Sequence, residues 1–183
     1  MALRTLRLEG DPILRKTSKE VTEITPRTKI LIEDLIECVH EYEGVGLSAV
    51  QVGVLKKICV IVIDPSDAAA QAEANEEGKK VSAKDLDPLT HTDGKDIVII
   101  NPQISVLDDT VQKGNEGCLS FPGKYGCVTR PNHILLTAQD KDLKPFEMEA
   151  RGLLARAICH ETDHMYGILY VDKVEGEIHK EGE

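Results

Sequence analysis

The sharpest chemical signal in the chain is the run His160-Glu161-Thr162-Asp163-His164. On a helix, residues four apart share one face, so the two imidazoles can grip one divalent metal ion. Glu161, beside the first of them, can reach a water at that ion and act as a general base. Taken alone, the pattern could be a chance run of polar residues on a solvated helix. Here it follows the apolar residues Leu153, Leu154, Ala157 and Ile158, so it emerges from a helix with a core face.

A catalytic site of this kind wants three protein ligands and one open position. In metzincin proteases a third His follows the glycine after the motif; Gly167 is present, but that position holds Tyr170. In thermolysin-like proteases a Glu arrives one helix later, yet only nineteen residues follow His164, and they end in a polar tail. The third ligand is therefore expected upstream, from Glu116-Gly117-Cys118-Leu119-Ser120. A thiolate is a strong ligand for iron or zinc. Gly117 permits a close backbone approach, and Pro122 stiffens the turn that follows. By itself this pentapeptide is more often a plain loop with a buried Cys. Weaker still alone is the run Gly44-Val45-Gly46-Leu47-Ser48-Ala49-Val50-Gln51, where a Gly-x-Gly at a helix end can be a cap and a turn and nothing more. It is not a dinucleotide fingerprint, because no strand precedes it and the third glycine is missing.

GVGLSAVQ, EGCLS and HETDH, in that order, together resemble the peptide deformylase family. The match runs from the helix before Gly44 to Asp172 and leaves residues 64–96 outside it. The resemblance implies that Cys118, His160 and His164 hold one Fe(II), with Zn, Ni or Co able to substitute. It makes Glu161 the general acid and base, and gives Gln51 and the backbone N–H of Leu119 the oxyanion hole. Val45 and Gly46 would lie along the peptide backbone, while Val45, Leu153 and Ala157 would line a pocket for a methionine side chain. Glu116 is counted with the substrate-binding residues, and Glu116 and Arg130 are expected to form a supporting ion pair behind Cys118. The implied activity is hydrolytic removal of the formyl group from formyl-methionyl N-termini of nascent polypeptides, with release of formate. The implied fold is α+β, with mixed antiparallel sheets packed around a central HExxH helix.

Three positions depart from the family pattern. Ser48 and Val50 stand where Ala and then Pro or Thr are more frequent, and Cys159 stands where Gln usually precedes the motif. Cys159 is expected to alter the surroundings of its neighbouring ligand or its sensitivity to oxidation. Two rival readings separate cleanly from this one. An HExxH zinc endopeptidase would not depend on Cys118. A non-catalytic metal-binding module would need a fourth protein ligand and would leave Glu161 and Gln51 without a role.

The elements that must carry these residues are partly legible. Asp11 caps a single turn at residues 12–15. Thr25-Pro26 opens a helix, with Thr at the N-cap, and Ile32, Leu35, Ile36, Val39 and Tyr42 recur at helical spacing until Gly44 stops it. Strands are expected at 57–63, 97–100, 103–107, 126–130, 134–138 and 146–150, a turn at 141–145, and a helix at 151–165. Residues 64–96 are polar and lack a pattern long enough for a core element, so a partly mobile surface insertion is expected there. Helix, strands, helix is an α+β order, in a single catalytic domain over residues 1–183.

Composition sets outer bounds. The 183 residues carry a formal net charge of -10, 41% apolar and 3% aromatic residues, so Leu, Ile and Val must build the core. That charge argues against DNA as a ligand. No apolar run reaches the length of a membrane span, and residues 1–10 have no signal core, so a cytoplasmic protein is expected. The tail, residues 174–183, is short and acidic, so any approach to the ribosome would not run through a basic helix. Five cysteines at irregular spacing make a poor disulfide framework and read as free thiols. His40, His91, His133 and His179 read as ordinary surface or core histidines.

Overall fold

The computed structural model describes residues 3–75, 82, 84 and 86–180. Three helices, α1 (Pro26–Glu41), α2 (Pro65–Asn75) and α3 (Gly152–Met165), accompany eight strands: β1 (Gly46–Ser48), β2 (Ile58–Ile61), β3 (Ile97–Val106), β4 (Val111–Cys118), β5 (Phe121–Pro131), β6 (His133–Gln139), β7 (Pro145–Arg151) and β8 (His179–Lys180). A five-stranded sheet runs β1-β2-β3-β6-β7 and a three-stranded sheet runs β4-β5-β8, with every named pairing antiparallel.

The alternation within β2 shows what the large sheet separates. Ile58 and Val60 face one side, where Leu31, Ile32, Leu35, Cys38 and Val39 of α1 cover them. Cys59 and Ile61 face the other, where they join Leu154, Ala155, Ile158 and Met165 of α3. A strand buried on both faces carries no polar residue, hence the unbroken apolar run. The α3 helix thus lies between the large sheet and the smaller one, whose Phe121 and Val128 pack with Leu14, Leu169 and Tyr170. This is the expected α+β arrangement around the motif helix.

Asp11 caps the turn Pro12–Arg15 and Thr25 caps α1, each accepting a backbone N–H as expected. The two short strands expected at 97–107 are one, β3, bent by a register shift at Ile100/Gln103 where Asn101 adopts φ 52°. The α1 helix ends at Glu41, and Glu43 rather than Gly44 takes the left-handed conformation, at φ 51°. β4 extends to Cys118, where a loop was the plainer reading of residues 116–120; its sequence, VQKGNEGC, is polar because Val111, Lys113 and Asn115 alternate outward while the buried Gln112 and Glu116 are hydrogen-bonded inside. Residues 64–96 also depart from expectation at their start. They begin with α2, whose Ala68 and Ala69 are buried and whose Ala68 joins the core beneath α3. Small alanines let α2 pack closely with little side-chain volume, so the pattern reads as polar. The partial mobility expected for residues 64–96 falls in part on residues 76–81, 83 and 85, outside the described residues. Among the described residues no helix is long and apolar enough to cross a membrane.

Candidate metal centre

Cys118 Sγ and one ring nitrogen each of His160 and His164 all lie within 4.8 Å of one another. The two imidazoles come from one face of α3, with ring centroids 5.0 Å apart. Cys118 arrives at the end of β4, where the pairing with β5 slips between Gly117 and Cys118 and turns the thiol toward α3. The sulfur is 3.3 Å from His164 Nε2. Gly117 is held by its neighbour: a Cβ there would stand 2.7 Å from the Tyr125 ring.

Burial, and next to it the charge of His160, pushes His164 well below the ordinary imidazole value. It therefore presents a neutral nitrogen, the form a metal ion needs. Burial also disfavours charge on His160, but hydrogen bonds to Cys118 and Glu116 outweigh it and raise that group to about 10. A cation held between these atoms would compete with that proton. One soft sulfur and two imidazoles, half enclosed, form a donor set that fits a divalent transition metal with one position left over.

Behind the ligands lies a buried ionic cluster. Glu116 Oε2 is 3.0 Å from His160 Nδ1, Arg130 reaches both carboxylate oxygens at 2.8 Å, and Arg156 Nη1 reaches Oε1 at 2.8 Å. Burial works against the charge on Glu116, yet the bonds from Arg130 and His160 hold it well below the usual carboxylate range. Arg130 turns its remaining nitrogen to Asp163. The expected Glu116–Arg130 pair is present, but the Glu116 carboxylate is committed to three partners rather than left to face a peptide. Tyr170 stacks on His160 at 6.1 Å between centroids.

Glu161 is buried on the same helix, and burial raises its pKa above that of an ordinary carboxylate. Gln51, in the turn Ala49–Val52 after β1, accepts the Ser48 N–H at 2.8 Å through its Oε1. That fixes which way its amide faces: Nε2 points at Cys118 Sγ, 3.4 Å away, and at Ser120 Oγ, 3.2 Å away.

All of this opens on one cavity of about 610 Å³. Val45, Gly46, Gln51, Leu119, Leu153 and Ala157 line it, together with Glu116, Cys118, His160 and Glu161. Arg130 and His164 stand behind its wall. Sequence reasoning missed three contributors. Arg156 was legible in principle, since it lies four residues before His160 and so shares the ligand face. Ser120 stood within the EGCLS run without a role, and Tyr170 had no sequence signal, because chain-distant neighbours set their contacts. A further wall comes from Asp67, Ala70 and Gln71 of α2. Cys159 packs in the core with Cys59 and Ile158, and burial pushes its thiol up to about 11, which disfavours the reactive thiolate. Of the histidines outside the motif, His40 sits on Asp96 at 2.7 Å, His91 on Asp93 at 3.2 Å and His133 on Asp108 at 2.8 Å, and none of these joins the metal cluster.

Against known proteins, the family model described as polypeptide deformylase matches residues 3–179. The peptide deformylase of Lachnoclostridium phytofermentans is 48% identical over 180 residues, covering 98% of this chain and 94% of that protein. The peptide deformylase of Agathobacter rectalis is 46% identical over 98% of this chain and 94% of its own length. Among solved structures, the Thermotoga maritima peptide deformylase superposes with a TM-score of 0.76 at 31% identity, over 96% of this chain and 100% of that one.

Proposed function

The chain belongs to the polypeptide deformylase family, and from that premise we propose that Cys118, His160 and His164 hold its catalytic metal while Glu161 carries the proton. The reaction is hydrolysis of the N-terminal formyl group of nascent polypeptides, and the family is metal-dependent. Fe(II) is the ion assigned here, with Zn, Ni or Co as substitutes the same three donors accept. When bound, the ion supplies Lewis acidity, polarising the formyl oxygen and making water acidic enough to lose a proton near neutral pH.

The protein residues supply the rest. The Gln51 amide, turned by Ser48, and the Leu119 N–H donate to the formyl oxygen as charge gathers on it; one such donor is typically worth about 3 kcal/mol of barrier. Glu161 takes the proton from the attacking water and passes it to the leaving amine nitrogen, so formate and a free N-terminus result. Its raised pKa suits both acceptance and return of that proton. Val45, Leu153 and Ala157 provide the apolar surface for the methionine side chain, and Gly46 lies along the peptide. Glu116, at the cavity wall, orients His160, and Arg130 balances Glu116 from behind it. Residues 1–183 form a single catalytic domain that works in the cytoplasm on the formyl-methionyl N-termini of nascent polypeptides.

The observation that carries this reading is the convergence of the Cys118 sulfur with two imidazoles at one cavity that Glu161 also lines. The test is formate release from a formyl-methionyl peptide by anaerobic protein loaded with Fe(II). Glu161→Ala is expected to abolish turnover while retaining the metal; turnover that survived the change would refute the assigned role.

A further inference from the structure

The carboxylate of Glu161 is held from outside its own helix. Ser48 Oγ, on β1, lies 2.9 Å from Glu161 Oε2 and 2.8 Å from the Glu161 backbone oxygen. Ser48 is fully buried, so water does not compete for its hydroxyl. The other carboxylate oxygen, Oε1, makes no hydrogen bond to any described residue, and Glu161 lines the cavity. Gly46 closes the remaining side: a Cβ there would stand 2.8 Å from Oε1 and 2.9 Å from Cγ, so the side chain has no slack toward β1.

We propose that Ser48 is a positioning residue for deformylation, holding Glu161 Oε2 so that Oε1 alone is presented to the water and the leaving amine. The proposal rests on the reading of Glu161 as general base. Strand β1 itself does not need the hydroxyl, since its main-chain duty at this position, the N–H bond to Gln51, is made by the backbone. Alanine, more frequent here in the family, would fill the same space without the bond, so this constraint belongs to chains that carry Ser. A hydroxyl can also turn from donor to acceptor. The contact therefore persists when Glu161 holds the proton, with Ser48 then donating to the Glu161 backbone oxygen. The plainer alternative is that Ser48 only ties β1 to α3.

Ser48→Ala separates the two. Wild type and S48A, loaded with the same divalent metal, are compared for kcat, KM, metal content and melting temperature on a formyl-methionyl tripeptide. Misplacing a general base predicts a fall in kcat of about tenfold to a hundredfold, with KM and metal content unchanged. Ser48→Thr, which keeps the hydroxyl, is expected to recover kcat, and the S48A result decides alone if S48T does not fold. A crystal structure of S48A is expected to show the carboxylate turned from its place. An unchanged kcat in S48A, with or without a lower melting temperature, overturns the proposal, as does a carboxylate that stays put. A wild-type protein that releases no formate would instead overturn the reading of the site itself.

Discussion

His160 Nδ1 lies 3.0 Å from Glu116 Oε2, so the imidazole meets the ligand cluster through its other nitrogen. The bond fixes ring orientation from behind and leaves Nε2 turned toward the candidate metal position.

Glu116→Gln keeps the shape and removes the charge. The variant is expected to bind its metal about 10- to 100-fold more weakly, as losses of such supporting partners do. Competition against a chelator of known affinity would measure it, and unchanged affinity would mean that His160 needs no orienting partner. Arg130 and Arg156 would also lose a buried counter-charge, and removing one partner of such a cluster costs about 3–5 kcal/mol of stability.

The same carboxylate sets a pH dependence. Its pKa is lower in the folded protein than in the unfolded chain, so its stabilising effect is complete above about pH 4.3 and fades as acid protonates it. Urea midpoints of wild type and E116Q are therefore expected to differ most near neutrality and to converge as the pH falls below 4. A gap that stayed constant would assign the stability to something other than this charge.

Gly46→Ala drives a methyl group against the Glu161 carboxylate. The backbone at this strand position accepts alanine, so folding should survive while kcat drops about a hundredfold. Equal rates would show that the carboxylate has room the structure does not give it.

Ala70→Trp tests the wall that α2 contributes. The residue lines the cavity from an exposed position, so the added ring should narrow the entrance without disturbing the core. KM is expected to rise severalfold for formyl peptides several residues long and less for formyl-methionine amides, with kcat retained. Identical KM values for both would place the peptide path elsewhere.

The sequence made the candidate ligands on α3 legible because helical spacing is local: His160, Glu161 and His164 announce their shared face within one run. Cys118 was legible only by elimination and by family pattern, since its approach depends on a slipped register between β4 and β5. Apolar periodicity gave α3, an unbroken apolar run gave β2, and Thr25-Pro26 gave the start of α1 but not its end. What the sequence hid was long-range: Tyr170 under His160, Ser120 beside Gln51, and Ser48 against Glu161, a pair 113 residues apart. The α2 helix was hidden for another reason. Its buried contacts are made by alanines, which carry too little hydrophobic contrast to register as a face.

That helix also bears on inhibitor design. Metal ligands and general base are the parts of an enzyme least free to vary, so compounds that only chelate tend to strike many relatives alike. Asp67, Ala70 and Gln71 border the same cavity from α2, outside the three motifs that carry the candidate ligands and base. A molecule anchored at the metal ligands and extended toward Ala70 would gain contacts that chelation alone does not reach.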